Sequence, residues 1–342
     1  MKVGILSGGG DAPGINAVIR AVVRKGFQHY RDEIVGIKDG WRGLLEGEFL
    51  PLDLKSASGI LPRGGSILGT SRTNPFKQEN GARKILKNAK KNGIEAVVVI
   101  GGEDTLSVAY KMGEFGLKCI GVPKTIDNDL PGTDYTFGFN TAVTIATEAL
   151  DRLHTTAEAH HRVMILEVMG RYTGWIALEA GLAGGADIIL IPEKPFDIDE
   201  ICEYIRRRQE RGRNFSIIVV AEGAKPKGGK EIVYSESVDE FEHIRLGGIG
   251  YYLGKEIEKC LSIETRVVVL GHLQRGGSPT AFDRILATRF GIAAIDLVHE
   301  EKFGYMVAIK GNKIVSVPLK DVVGKRKTVD LELYDIASVF FG

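Results

Sequence analysis

Apolar residues fall into two patterns along this chain. Short β-branched blocks at Val3–Leu6, Ile34–Ile37 and Glu95–Ile100 read as strands, the last buried on both faces. Asn16–Gly26, Gly81–Lys91 and Thr105–Phe115 instead repeat apolar residues at helical spacing, and "KCIGVP" (118–123) gives another strand. Strand and helix alternating through short turns predict a doubly wound parallel sheet. The pattern restarts after a long helix within 137–161. Arg162–Val168, Asp187–Ile191 and Phe215–Ala221 read as strands, with helices at Trp175–Ala183 and Ile198–Arg211. A domain change is therefore expected near Phe139. A helix at Gly247–Cys260, a strand at Thr265–Leu270 and a helix at Ala281–His299 are expected to return to the first domain. This sets domains of 1–138 with 252–303, and 139–251 with 304–342. No Pro/Ser-rich linker separates them, so a site between the two is expected.

Composition narrows the class. Of 342 residues, 44% are hydrophobic and 26% charged, ordinary for a globular chain. A formal net charge of +1 favours neither nucleic acid nor an acidic membrane surface. Three widely spaced cysteines suit a reducing compartment and no disulfide framework. The opening "MKVGILSGGG" breaks too early for a secretion signal, and no apolar run reaches spanning length. A cytoplasmic enzyme or binding protein is expected. Glycine is the outlier, at 44 against 11 prolines, clustered after apolar runs as at the βα turns of a parallel sheet.

Those turns carry the candidate chemistry. In "SGGGDAPGIN", Gly8, Gly9 and Gly10 can offer successive N–H groups to an anion at a helix start, with Pro13 in the first turn. A tight turn without a ligand would use the same residues. A dinucleotide fingerprint would need glycine where Pro13 stands, and Asp39 is the only acid near the end of the second strand, which disfavours nicotinamide. "IGGEDTLSVA" puts two glycines after a strand, yet follows them with Glu103 and Asp104, where a polyanion would lie. In "PKTIDNDLPGTDYTFGFN", Asp127 and Asp129 sit just past a strand end beside Lys124 and Thr125. At period two in extended backbone they point one way and can share a base-and-metal task. An acidic surface loop is the plainer alternative. Arg72, Arg162, Arg171, Arg266 and Arg275 lie at strand ends or loop tips among glycines. A lone arginine is usually a solvated charge, but five suggest two phosphate pockets. His272 reads equally as a structural histidine or a ligand contact.

Taken together these residues resemble the phosphofructokinase family over almost the whole length. The matching elements are "GGGDAPGINAVIR", "RGGSILGTSR", "GGEDT", "PKTIDND", "TDYTFGFNTAV", "EVMGRYTG" and "LGHLQRGGSP", in family order. The resemblance implies two similar Rossmann-like three-layer α/β domains with mainly parallel sheets and the active site in the cleft between them. The phosphoryl donor and Mg2+ would sit mainly on the first domain, with fructose 6-phosphate in the cleft. It implies Asp127 as general base, Asp129 as its electrostatic partner near Mg2+, and Thr125 at the substrate hydroxyl. Arg171 and Arg72 would meet charge on the transferring phosphoryl group. Met169, Gly170 and Glu222 would contact fructose, while Arg162, Arg266, His272 and Arg275 would hold the 6-phosphate. Gly10, Gly102, Asp104 and Lys124 would line the donor site, and Glu103 would serve the metal. Arg162 and Arg266 would reach across from a neighbouring subunit, implying a homo-oligomer.

The resemblance also addresses the donor. Members using ATP have glycine at the position of Asp104 and commonly at that of Lys124, whereas members using pyrophosphate carry Asp and Lys, as here. Physics agrees: two unit charges ~4 Å apart repel by about 4 kcal/mol at an effective dielectric of ~20. That is roughly three powers of ten in affinity against the α-phosphate of ATP. Lys124 is expected to neutralise Asp104 and bind the smaller donor. The sequence reading is thus reversible, pyrophosphate-dependent phosphorylation of fructose 6-phosphate, with ATP dependence as the alternative and a non-catalytic sugar-phosphate sensor behind it. Two effector-pocket arginine positions of the allosteric ATP enzymes are Leu54 and His154 here, although Arg20, Arg24, Arg211 and Arg213 remain. Nucleotide control is expected to be weak or absent.

Overall fold

The computed structural model describes residues 1–229, 233–238 and 244–341. In chain order the elements open with β1 (Lys2–Ser7), α1 (Ile15–Lys25), β2 (Glu33–Ile37), α2 (Trp41–Glu46) and β3 (Phe49–Leu52). Next come α3 (Gly81–Lys91), β4 (Ala96–Gly101), α4 (Glu103–Glu114), β5 (Cys119–Thr125), β6 (Phe137–Gly138) and α5 (Phe139–His160). The middle of the chain holds β7 (Val163–Val168), α6 (Trp175–Ala183), β8 (Ile188–Leu190), α7 (Ile198–Glu210) and β9 (Ser216–Ala221). Then follow β10 (Val233–Val238), β11 (Ile244–Leu246), α8 (Ile249–Leu261), β12 (Thr265–Val269) and α9 (Ala281–His299). The chain closes with β13 (Tyr305–Lys310), β14 (Lys313–Pro318) and α10 (Leu331–Ser338).

These elements form two compact units. The first contains Met1–Thr141 and Arg275–Arg326; the second contains the described residues of Ala142–Val238, Ile244–Gln274 and Lys327–Gly342. The boundary falls inside α5.

The sheet of the first unit runs β14-β13-β5-β4-β1-β2-β3, with β6 beside β5. Its centre is parallel, and the edge strands β3 and β14 are antiparallel. Period-two alternation splits β4 between two cores. Val98 and Ile100 pack with Ile15, Val18 and Val22 of α1 and Phe290 of α9, while Val97 and Val99 pack with Leu44, Ile85 and Leu106 of α2, α3 and α4. Helices on both faces are what an all-apolar strand demands.

The second unit carries a four-stranded parallel sheet, β12-β7-β9-β8, and an antiparallel β10-β11 pair. Ile188, Leu190, Ile218 and Val220 face Ile201 and Ile205 of α7 and Leu253 and Ile257 of α8. Ile189, on the opposite face, lies against Gly181 of α6.

The mainly parallel, two-unit α/β architecture agrees with the sequence reading; the return of the chain does not. Residues 252–274, expected with the first unit, belong to the second, because β12 pairs in parallel with β7, Thr265 opposite Val163. Conversely, 304–326, expected with the second, extend the first sheet, with Tyr305 opposite Ile120 of β5. Strand partners depend on the whole sheet, which local periodicity does not encode.

Candidate active site

In the first unit the candidate residues gather where three neighbouring strands end. The glycine turn follows β1, Gly102–Asp104 follows β4, and Lys124–Asp129 ends β5; β4 lies between β1 and β5. The carboxyl ends of parallel strands are where such sheets bind ligands.

The glycine turn differs from its expected form. Gly8 N–H donates to Ile100 O at 2.9 Å and Gly9 N–H to Ser71 O at 2.9 Å, so these two amides are held by protein rather than offered to an anion. Helix α1 starts only at Ile15, after a left-handed Gly14, so Pro13 precedes the first helical turn. The turn is instead read through its carbonyls. Lys124 Nζ donates to Gly8 O at 3.0 Å and also to Gly10 O. The lysine is buried, and its pKa is lowered to about 7. Burial is the main cause, and the Arg275 and Arg72 charges lower it further against the opposing pull of Asp11 and Asp127. Arg275 donates to Asp11 O at 3.3 Å, and a Cβ on Gly10 would approach its Nη1 to 2.6 Å. A side chain at Gly10 would therefore displace this guanidinium.

Glu103 and Asp104 form the first turn of α4, which is N-capped by Gly102. The helix begins two residues earlier than its apolar pattern suggested. Both carboxylates thus stand at the positive end of a helix dipole, which stabilises negative charge there without any ligand. Glu103 Oε1 accepts from Gly324 N–H at 2.9 Å.

The Asp127–Asp129 stretch is not extended as expected. Asn128 takes a left-handed φ of 50°, and its buried Oδ1 accepts from Thr136 N–H at 3.1 Å. Thr136 Oγ1 donates to Thr125 O at 2.7 Å, and Asp127 N–H donates to Thr125 Oγ1 at 3.1 Å. This turn still leaves the two carboxylates interacting. Asp129 is raised to about 6, first by burial and then by the Asp127 charge, with Arg326 and Thr125 pulling the other way. Arg326 was missed by the sequence reading because it lies in a basic stretch two hundred positions away with no motif around it.

In the second unit the candidate residues divide between the two ends of one sheet. Met169, Gly170 and Arg171 follow β7, Glu222 follows β9 and His272 follows β12, all at strand carboxyl ends. Met169 N–H donates to the buried Gln274 Oε1 at 3.2 Å, and Gly223 N–H to Gly170 O at 3.1 Å. A Cβ on Gly223 would stand 1.9 Å from Arg171 O, so only glycine lets these two loops meet. Arg171 Nη1 is buried with no hydrogen-bond partner among the described residues. An orphaned guanidinium donor is costly unless something anionic arrives to accept from it. Glu167, unremarked in the sequence, is buried in β7 and caps α8 by accepting from Gly248 and Gly250 N–H at 3.1 and 2.9 Å.

Arg162 and Arg266 are at the other end. Arg162 immediately precedes β7 and Arg266 is the second residue of β12, and Glu264 pairs with both guanidinium groups. At about 3.3 Å per residue, the ends of six-residue β7 lie roughly 20 Å apart. These two arginines therefore share no pocket with Met169, Gly170 or Glu222 of their own chain. Arg275, grouped with them in the sequence reading, lies in the first unit at the glycine turn.

Comparison with known proteins follows the same lines. A pyrophosphate–fructose 6-phosphate 1-phosphotransferase of Streptomyces coelicolor is 58% identical over 343 positions, covering 100% of both chains. An ATP-dependent 6-phosphofructokinase of Mycobacterium leprae is 51% identical, also over 100% of both. The structure of phosphofructokinase from Saccharomyces cerevisiae matches with a TM-score of 0.82 at 33% identity, over 94% of this chain and 45% of that one. The chain thus spans less than half the length of that yeast chain. Residues 2–298 match the description "Phosphofructokinase", and the chain belongs to the phosphofructokinase family.

Proposed function

We propose that this chain catalyses reversible phosphoryl transfer from pyrophosphate to the 1-hydroxyl of fructose 6-phosphate, giving fructose 1,6-bisphosphate and phosphate. The observation that carries the donor choice is Asp104 on the first turn of α4, at a strand end next to those bearing the glycine turn and Lys124. Its charge opposes an α-phosphate, whereas pyrophosphate has neither α-phosphate nor nucleoside to place. The name of the Streptomyces coelicolor relative supports this reading.

Asp127 takes the proton of the sugar 1-hydroxyl; that oxygen bonds to the near phosphorus of the donor, and the P–O–P bridge breaks to release phosphate. Arg171, with its unpartnered Nη1, and Arg72 meet charge on the transferring group. Lys124 and Gly10 stand with Gly102 at the donor, and Thr125 orients the hydroxyl beside Asp127. Met169, Gly170 and Glu222 contact the fructose, and His272 its phosphate. Arg275 also serves the 6-phosphate by resemblance, while its position adds it to the cations at the glycine turn.

The carboxylates suit Mg2+. Glu103 and Asp129 are hard oxygen donors, and burial beside Asp127 makes negative charge on Asp129 costly, a cost that a bound cation would relieve. Among the described residues no group of three or more His, Cys, Asp or Glu could hold a metal ion. Glu103 and Asp129 would thus supply one or two ligands, with donor phosphates and water completing the set. When bound, Mg2+ neutralises donor charge; Lys124 and the arginines do the remainder.

Arg162 and Arg266 act on a neighbouring subunit's sugar phosphate, which makes the enzyme a homo-oligomer. The separation of these residues from their own chain's fructose contacts supports this. Among the described residues no helix is long and apolar enough to cross a membrane, and we place the enzyme in the cytoplasm. Control by nucleotides is weak or absent, in keeping with His154, whose Nε2 is bonded to Gly184 O at 2.8 Å.

The second reading, ATP as donor, is favoured by the name of the Mycobacterium leprae relative. Purified enzyme assayed with Mg2+ and fructose 6-phosphate, with pyrophosphate or ATP in turn, separates the two. Faster turnover with ATP at matched Mg2+ would overturn the choice of donor and leave the sugar-kinase assignment standing.

A further inference from the structure

We propose that Cys202 and Cys260 form a reversible thiol–disulfide pair that closes under hydroperoxides and covalently joins α7 to α8. They are 58 positions apart in sequence, but the fold brings them together. The two helices pack against each other on one face of the second sheet. Cys202 lies three residues before Ile205 and Cys260 three residues after Ile257. Both isoleucines belong to the same buried cluster, so each thiol extends the stripe its helix turns toward the other. The side chains agree: after burial, it is the Cys260 thiol close by that does most to hold the proton on Cys202.

Their unequal exposure orders the chemistry. Cys260 is exposed and meets the oxidant, whereas Cys202 is buried. Burial and the neighbouring thiol hold the Cys202 thiol up at about 12, so it resolves rather than initiates. The Cys260 thiolate attacks the peroxide, forming an S–O bond as the O–O bond breaks and an alcohol, or water from hydrogen peroxide, leaves. Cys202 sulfur then attacks the sulfenic sulfur; the S–S bond forms, the S–O bond breaks, and hydroxide departs with the Cys202 proton as water. Two thiols lose two electrons and two protons, and the peroxide takes both electrons. Thiols reopen the bond. The third cysteine, Cys119, is buried in β5 of the first unit, where desolvation raises its pKa to about 12; it serves as an internal control.

The proposal is independent of the donor assignment and is tested on the full-length enzyme with hydrogen peroxide, followed by intact mass and peptide mapping. The expected result is loss of two hydrogens, a linked Cys202–Cys260 peptide, recovery of both thiols with dithiothreitol, and an unmodified Cys119. Cys260→Ser should abolish the loss. Cys202→Ser should leave Cys260 as a sulfenic acid trappable by dimedone. Oxygen addition at Cys260 with Cys202 still open to alkylation, a linkage between two copies through Cys260, or no reaction would each overturn it.

Discussion

The two sheets use their edges differently. In the first unit every candidate residue of the parallel strands sits at one edge, where β1, β4 and β5 end and a buried lysine ties the loops together. In the second, Met169, Gly170, Arg171, Glu222 and His272 occupy the same kind of edge, but Arg162 and Arg266 occupy the opposite one, held by Glu264. A single-edge set can complete its chemistry within one chain. A set split across roughly 20 Å of sheet cannot converge on one small substrate, so its far members serve another molecule or none.

The one-edge reading breaks most sharply at Asp127. Asp127→Asn should lower kcat by about 10^3 to 10^4-fold, the upper range for a general base, with little change in KM for fructose 6-phosphate. Steady-state kinetics checks this, and a fall below tenfold would remove Asp127 from proton transfer. Asp104→Gly comes next. It should raise kcat/KM for ATP by up to roughly 10^3-fold, the limit set by one like-charge contact at ~4 Å. No gain with ATP would mean that another element excludes the nucleotide, and that Asp104 serves chiefly to begin α4.

That alternative marks what the sequence leaves unreadable. The strands at Val3–Leu6 and Glu95–Ile100 and the helix Gly81–Lys91 were legible because burial on both faces and helical periodicity are local properties. The site clusters were legible because glycine turns after strands mark sheet edges. Partnerships were not. Nothing near β12 says that it joins β7, and nothing near β13 says that it joins β5. The same holds for side chains: nothing local says that the Lys124 amine reaches back to the Gly8 and Gly10 carbonyls. Asp127 and Asp129 do interact, through a left-handed Asn128 locked by Thr136 rather than through extended backbone. The distant Arg326 carries no local signal, and Gln274, although it lies within "LGHLQRGGSP", gives no sign of its burial or of its bond to Met169.

The split edge can be tested by mixing. Asp127→Ala and Arg162→Ala chains, each of low activity alone, should regain about a quarter of wild-type activity when unfolded and reassembled together. Random pairing about a two-fold axis puts half the chains in hybrids, and each hybrid holds one intact site. If Arg162 served its own chain, no pairing would restore activity. Analytical ultracentrifugation of the mixture confirms that the chains assemble.

The smallest effect concerns the lysine that closes the single-edge site. Lys124 titrates near 7 in the folded enzyme, whereas its unfolded value is 10.5. Between these values the unfolded chain holds a proton that the folded chain has released, so folding becomes more favourable as pH rises through that window. The cost of burying this cation is complete below the folded pKa and vanishes above the unfolded one. From pH 7.5 to 9 the wild type should therefore gain stability over Lys124→Met by at most ~1.4 kcal/mol per pH unit. Parallel denaturant melts measure the difference in slope rather than in absolute stability, so the lost bonds to Gly8 and Gly10 cancel. Equal slopes would mean that Lys124 keeps its charge in the folded state, and that Asp11 and Asp127 outweigh the Arg275 and Arg72 charges and its burial together.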